Sequence, residues 1–182
     1  MSPKKVAIAG STGYLAGELM KELKDYEIIK LVREDFHLDN RLLAEKINAA
    51  DVIINLAGYP IIKRWTKSNR RKIGNGRQWM SFVHIYDLVH SIRFIIEKEL
   101  EGIVNVTDPE YITNKEFTKA MSELIHKPAF LTVPVFLLKL FYGKGAEIIY
   151  SGNRVLPEKL LNQGFKFKYS NINSALEEII FH

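Results

Sequence analysis

The sequence predicts an α/β fold: a doubly wound parallel sheet followed by a small α+β C-terminal lobe. Three observations predict it. Short apolar runs at residues 5–9, 28–32 and 51–55 alternate with stretches of helical periodicity. Strands of that length joined through helices make parallel, right-handed crossovers. A glycine-rich run, Gly10-Ser11-Thr12-Gly13-Tyr14-Leu15-Ala16-Gly17, sits where the first strand turns into the first helix. Beyond residue 73 the character changes, with shorter strand patterns and a capped amphipathic helix.

Each element has its own reason. Val6-Ala7-Ile8-Ala9 is a continuous apolar run, as a strand buried on both faces requires. Residues 13–24 carry Leu15, Leu19 and Leu23 along one helical stripe. Ile28-Ile29-Lys30-Leu31-Val32 reads as strand two. Asn40 to Ala49 reads as a short helix with Leu42, Leu43 and Ile47 inward. Asp51-Val52-Ile53-Ile54-Asn55 reads as strand three. Phe82-Val83-His84-Ile85 reads as a short extended run, and Asp87 as the cap of a helix bearing Leu88, Ile92, Ile95 and Ile96. Gly102-Ile103-Val104-Asn105-Val106 reads as a further strand. Thr113-Asn114-Lys115-Glu116 is a capping box, opening a helix with Phe117, Ala120, Met121, Leu124 and Ile125 at helical spacing. Residues 172–180 read as the last helix.

The glycine turn carries the chemistry. Gly10 permits a tight turn out of the strand, and Gly13 lets the backbone approach a ligand closely. The helix start behind them offers unpaired N–H groups and the positive dipole end to an anion. At the end of a first strand this is the setting of a dinucleotide pyrophosphate site, and the fold is then Rossmann-like. Arg33 stands twenty residues after Gly13, where the ribose-selecting residue is expected. A guanidinium there pairs with a 2′-phosphate and favours NADP. Glu34 beside it could instead bind ribose hydroxyls, so NAD stays open.

Composition limits the alternatives. The chain has 182 residues, 47% hydrophobic and 26% charged, enough for one good core with a small lobe attached. It has no Cys, which removes disulfides, thiol catalysis and thiolate metal sites and fits a reducing compartment. No leader pattern precedes the first strand, so a cytoplasmic location is expected. The apolar stretch 130–142 contains Pro134 and Lys139 and is too short to span a bilayer. Net charge is +5, much of it in Lys63, Arg64, Lys67, Arg70, Arg71 and Lys72. Such a run suits a solvated helix face, a phosphorylated ligand or nucleic acid; without a nucleic-acid motif beside it, nucleic acid is not the expected partner. The five His show no metal-ligand spacing, and no metal is expected.

Several segments together resemble the extended short-chain dehydrogenases/reductases, in their epimerase-like branch. They are the Gly10–Ala16 turn, Asn55-Leu56-Ala57-Gly58, and His84-Ile85-Tyr86-Asp87. Pro60-Ile61, Lys63-Arg64-Trp65, Gly74-Asn75-Gly76-Arg77-Gln78, and Arg154-Val155-Leu156-Pro157 with Leu160 and Gly164-Phe165 extend it into that branch's C-terminal domain of unknown function. The resemblance implies that Gly10, Thr12, Gly13, Tyr14 and Leu15 hold the pyrophosphate of NADP, with NAD possible. It implies that Asn55, Leu56, Ala57 and Gly58 line the ribose and nicotinamide side. Arg64, Trp65, Gln78 and His84 would face a small-molecule substrate. Residues 1–73 would form the dinucleotide-binding part. Residues 74–182 would supply the rest of the sheet and the substrate lobe.

One departure is large. In the family a long segment, on the order of a hundred residues by length, separates the Lys63-Arg64-Trp65 region from Gly74-Asn75-Gly76; here Arg71-Lys72-Ile73 joins them. That segment carries the family's catalytic Ser and Tyr. Two Tyr-x-x-x-Lys matches exist, Tyr26 with Lys30 and Tyr111 with Lys115, but neither spacing suits a catalytic pair, and no catalytic residue is assigned. The join is either a natural internal deletion or the sign of a longer protein, and removing central strands would bare the edge of a parallel sheet. Two functional readings follow. One is an NAD(P)-binding epimerase/dehydratase-like oxidoreductase acting on a small or sugar-nucleotide-like substrate. The other is a non-catalytic NADP(H)-binding regulatory protein.

Overall fold

Strand β1, Lys5–Ala9, lies at the centre of a three-stranded parallel sheet in the order β2-β1-β3. A computed structural model describes residues 3–37, 40–57, 72–73, 76–126, 132–133 and 154–181. Strand β2 is Glu27–Leu31 and β3 is Val52–Asn55, with Val6 opposite both Ile28 and Val52. Helix α1, Tyr14–Glu22, and helix α2, Asn40–Asn48, make the two crossovers. Val6, Ala7 and Ile8 are fully buried, because successive side chains point to opposite faces and both faces are covered. Ala7 and Ala9 join Leu31 in one cluster, against which Ile47 and Ala50 pack.

The stripe that α1 buries differs slightly from the expected one. Ala16, Leu19 and Leu23 are fully buried while Leu15 is half-buried. Each large apolar side chain so buried contributes about 2 kcal/mol. Leu42, expected inward on α2, is exposed. Leu43 and Ile47, four residues apart, share the inward face, and Leu42 is turned away from them by the helical period.

The described residues form two compact units. The first comprises residues 1–61 and 89–100, the second residues 62–88 and 101–182. Helix α3, Ile85–Glu97, begins in the second and continues into the first. Within the first unit Arg93 is the tie. Its guanidinium donates to the Glu22 carbonyl at 2.8 Å, to both Asp25 carboxylate oxygens at 2.9 and 2.8 Å, and to Glu97 at 2.7 Å. It also lies over the Tyr26 ring. One side chain thus fixes α3 to the loop between α1 and β2.

The second unit holds the short pairs β5, Trp79–Met80, with β6, Ile112–Thr113, antiparallel, and β4, Lys72–Ile73, with β7, Thr132–Val133, parallel. Helix α4, Asn114–Leu124, starts at the Thr113–Glu116 capping box that the sequence announces. Helix α5 is Glu158–Asn162 and α6 is Ile172–Phe181. Ile112, Ile172 and Leu176 form a core cluster of this unit with Met80, Phe82, Phe117 and Leu124 against them.

Two expectations are corrected. Residues 102–106 form no strand: no described segment pairs with them, and Ile103 is 89% exposed. A lone apolar run has no ladder to join. Asp87 does not cap α3. The helix starts two residues earlier, and it is His84 whose Nδ1 accepts the Tyr86 N–H. The buried Asp87 carboxylate instead accepts the N–H groups of Lys168 and Tyr169 at 2.7 and 2.9 Å.

Replacing Arg93 by Ala removes charge-assisted bonds on three elements and should lower unfolding stability by about 1–3 kcal/mol. Arg93→Lys should recover less than half of that, since an ammonium cannot reproduce the fork. Urea midpoints at constant slope measure both.

Candidate functional site

The carboxyl ends of β1, β2 and β3 converge in the first unit, and the candidate cofactor residues stand there. Gly10 leaves β1 with φ +74°, a region in which an L side chain is strained. A Cβ on Gly10 would lie 2.7 Å from the Ala57 nitrogen and 2.8 Å from the Leu56 carbonyl carbon. The backbone after β3 thus rests directly on the turn after β1. Asn55 shapes that backbone, its Oδ1 accepting the Ala57 N–H at 3.0 Å. Ser11 is buried, and its hydroxyl donates to the Leu31 carbonyl at the end of β2.

Gly13 closes the turn by donating to the Gly10 carbonyl at 3.0 Å, and it is the N-cap of α1. No side chain caps this helix, and the first helical bond is Gly17 N–H to the Gly13 carbonyl. The N–H groups of the first turn therefore have no intrahelical partner. Thr12 and Tyr14 are exposed beside them, and Leu15 is half-buried. The uncapped helix start, the turn and the exposed flanks form a cradle for an anionic group. The fully buried Ala16 follows where the related turn has its third glycine, packing a methyl toward the core.

Arg33 is exposed at the end of β2, in a 3₁₀ turn running to His37, and Glu34 is exposed next to it. That turn is built by Asp35, which the sequence reading passed over. Its carboxylate accepts the Val32 N–H and the Lys46 ammonium, each at 2.8 Å, and the lysine holds its pKa below the usual range. An acidic residue two past a strand-end Arg was the available signal. Gly58, Arg64 and Trp65 lie outside the described residues.

Gln78 and His84 belong to the other unit. Gln78 precedes β5, and its carbonyl accepts the Asn114 N–H. His84 is buried against Tyr169, ring centroids 4.1 Å apart, and desolvation depresses its pKa. Neither Tyr-x-x-x-Lys match makes a pair. Tyr26 lies under Arg93 and burial raises its pKa, the opposite of what a general acid/base tyrosine needs. Tyr111 is stacked under Arg154. Asp108, also unmentioned at the sequence level, is buried, and desolvation pushes its pKa up to about 6.

A hollow of about 830 Å³ in the first unit lies at the amino ends of the strands, away from the cradle. The charges around it are already engaged: Lys4 bonds Glu99 and the Lys5 N–H bonds Asp51. Among the described residues no acidic, His or Cys cluster could hold a metal ion, and no helix is long and apolar enough to cross a membrane.

Comparisons with known proteins find similar chains and folds. The model of a domain of unknown function, DUF1731, matches residues 133–179. Epimerase family protein YfhF of Bacillus subtilis is 38% identical over 109 residues, which cover 59% of this chain and 36% of YfhF. The chloroplastic epimerase family protein SDR39U1 homolog of Arabidopsis thaliana is 34% identical over 109 residues, 59% of this chain and 31% of its own. Human epimerase family protein SDR39U1 (isoform2), crystallised with NADPH, superposes with a TM-score of 0.79 at 15% identity, covering 98% of this chain and 99% of that one. Over the matched residues the chain is similar to epimerase family proteins. Its fold is the Rossmann-like α/β fold of the human protein. A nucleoside-diphosphate sugar epimerase from Corynebacterium glutamicum shares this fold at a TM-score of 0.63 and 16% identity, covering 97% of this chain and 58% of its own. The matches to the curated relatives span about a third of those relatives' length.

Two outcomes follow from this geometry. Gly10→Ala forces a Cβ into the Ala57 backbone at positive φ, and should cost at least about 2 kcal/mol of stability, read by thermal or urea unfolding. Asp108 holds its proton more tightly folded than unfolded, so its burial opposes folding above pH 6 and that opposition fades as pH falls toward 4. His84, with its lowered pKa, acts in the reverse sense below about pH 6.5. Comparing Asp108→Asn with the parent protein isolates the first effect. The variant should be more stable at pH 7–8, and its advantage should vanish by about pH 4.

Proposed function

We propose that this protein binds NADP(H), with the pyrophosphate on the cradle formed by Gly10, Thr12, Gly13, Tyr14 and Leu15. The observation that carries this is the uncapped start of α1 above a glycine turn held open by its contact with Leu56–Ala57. The residues fit the group. A pyrophosphate needs backbone N–H donors and no side chain in its way, and the turn supplies both. Leu56 and Ala57 would flank the ribose and nicotinamide side, with Gly58 following. Arg33 would pair with the 2′-phosphate, which is the feature that favours NADP over NAD. The related human protein crystallised with NADPH supports this choice.

Bound NADP(H) supplies hydride exchange at a carbon bearing a hydroxyl or keto group. The chain's own residues bind and orient it. The epimerase-family relatives support an epimerase/dehydratase-like oxidoreductase acting on a small or sugar-nucleotide-like molecule, with residues 74–182 contributing the substrate side. A second reading rests on the tyrosines. Tyr26 and Tyr111 are both committed to arginine stacking, which favours a protein that holds NADP(H) without turnover.

NADPH titration, followed by energy transfer from tryptophan to the nicotinamide, tests the binding. We expect NADPH to bind at least ten-fold more tightly than NADH, and Arg33→Ala to bring the two within a few-fold. Gly13→Val should abolish binding with circular dichroism unchanged. NADPH binding that survives Gly13→Val sinks the site assignment. Oxidation of NADPH by a carbonyl panel separates the enzymatic reading from the non-catalytic one.

A further inference from the structure

The second unit contains a polar hollow of about 440 Å³, lined by Ile103, Asn105, Arg154, Val155, Leu156, Glu158 and Lys159. That is room for a molecule the size of a small metabolite. Arg154, one of its lining residues, is also stacked on aromatic rings. Its guanidinium carbon lies 3.6 Å from the Tyr111 ring centroid and 5.3 Å from that of Trp79. The two rings meet edge-on at 6.0 Å. They are positioned by the β5–β6 pair, in which Trp79 stands opposite Thr113, two residues from Tyr111.

Stacking occupies the face of a guanidinium and leaves its in-plane N–H groups for a planar oxyanion. Among the described residues no carboxylate pairs with Arg154, and Asn105 has no hydrogen-bond partner for its exposed amide. Lys159 is already engaged, its ammonium donating to the Glu101 carbonyl. Glu158 lines the same hollow and adds one negative charge. The local balance is therefore two cations against one anion, which matches a singly charged ligand better than a dianionic phosphate. A carboxylate suits it, planar and monoanionic.

We propose that Arg154 is the anion-holding residue of a second ligand site, one that takes a small, polar, hydroxylated carboxylate. The carboxylate sits on the Arg154 fork and the Asn105 amide receives a hydroxyl. The site uses no residue of the glycine turn, which belongs to the other unit. Its failure would leave the cofactor reading untouched.

The stack provides its own reporter. In a Trp65→Phe background Trp79 is the sole tryptophan, and its emission responds to a change in the cation above it. Titrate that protein with glucuronate, with glucose as the same body without the carboxylate, and with inorganic phosphate as an oxyanion without the body. The proposal expects a saturable change with glucuronate alone. It expects Arg154→Gln to weaken it at least ten-fold, and Arg154→Lys and Asn105→Ala several-fold, with unchanged circular dichroism. Asn105→Ala alters an exposed side chain and keeps the test readable if the Arg154 variants fold poorly. No saturation, an equal response to glucose or phosphate, or undiminished binding in both Arg154→Gln and Asn105→Ala would overturn the proposal.

Discussion

The contact between Gly10 and the backbone of Leu56–Ala57 is the constraint on which the first unit's site depends. Three strands end side by side, so three loops must leave from one narrow edge. The β1 loop and the β3 loop can share that edge only if one of them lacks a side chain. Gly10 provides that absence at a positive φ. With the β3 loop lying across it, the turn is fixed from above, and Ser11 fixes it sideways to the end of β2. The helix start of α1 is then both exposed and rigid. A cradle for a charged group needs both properties, because binding that has to order a loop first loses affinity.

The second unit is organised differently. Among its described residues the strands are short pairs, and buried polar groups reach across the chain. Asp87 accepts two backbone N–H groups eighty residues further on, tying the start of α3 to the segment before α6. His84 lies against Tyr169 within the same knot. The HxxD pattern thus serves as a clamp. Its carboxylate satisfies backbone donors that no strand satisfies, which is how an irregular segment can be buried.

Apolar residues exposed on the two units have a shared reading. Ile53 on β3 is 55% exposed and Ile103 is 89% exposed, although both belong to runs with the composition of buried strands. β3 is the last described strand on its side of the sheet, and residues 102–106 have no ladder. An edge strand and an unpaired run both leave apolar side chains without a covering neighbour. The same lack explains why a strand read from composition did not form: β-propensity describes fit to a neighbouring strand, and here no described strand is there to fit.

The sequence by itself determined the first three strands, the helices between them, the glycine turn and the Thr113 capping box. Each depends on residues within a few positions of one another, so local periodicity and turn chemistry suffice. The tertiary structure decided what depends on distant partners. It turned Leu42 outward, made Ala16 part of the buried stripe, and moved Asp87 from a helix cap to a clamp. It placed Tyr26 under Arg93 and Tyr111 under Arg154. It also showed Asp35 and Asp108 to be buried acids, one held ionised by a lysine and the other pushed toward neutrality by desolvation. The same side chain takes opposite roles according to what is packed against it, and that neighbour is rarely its neighbour in sequence.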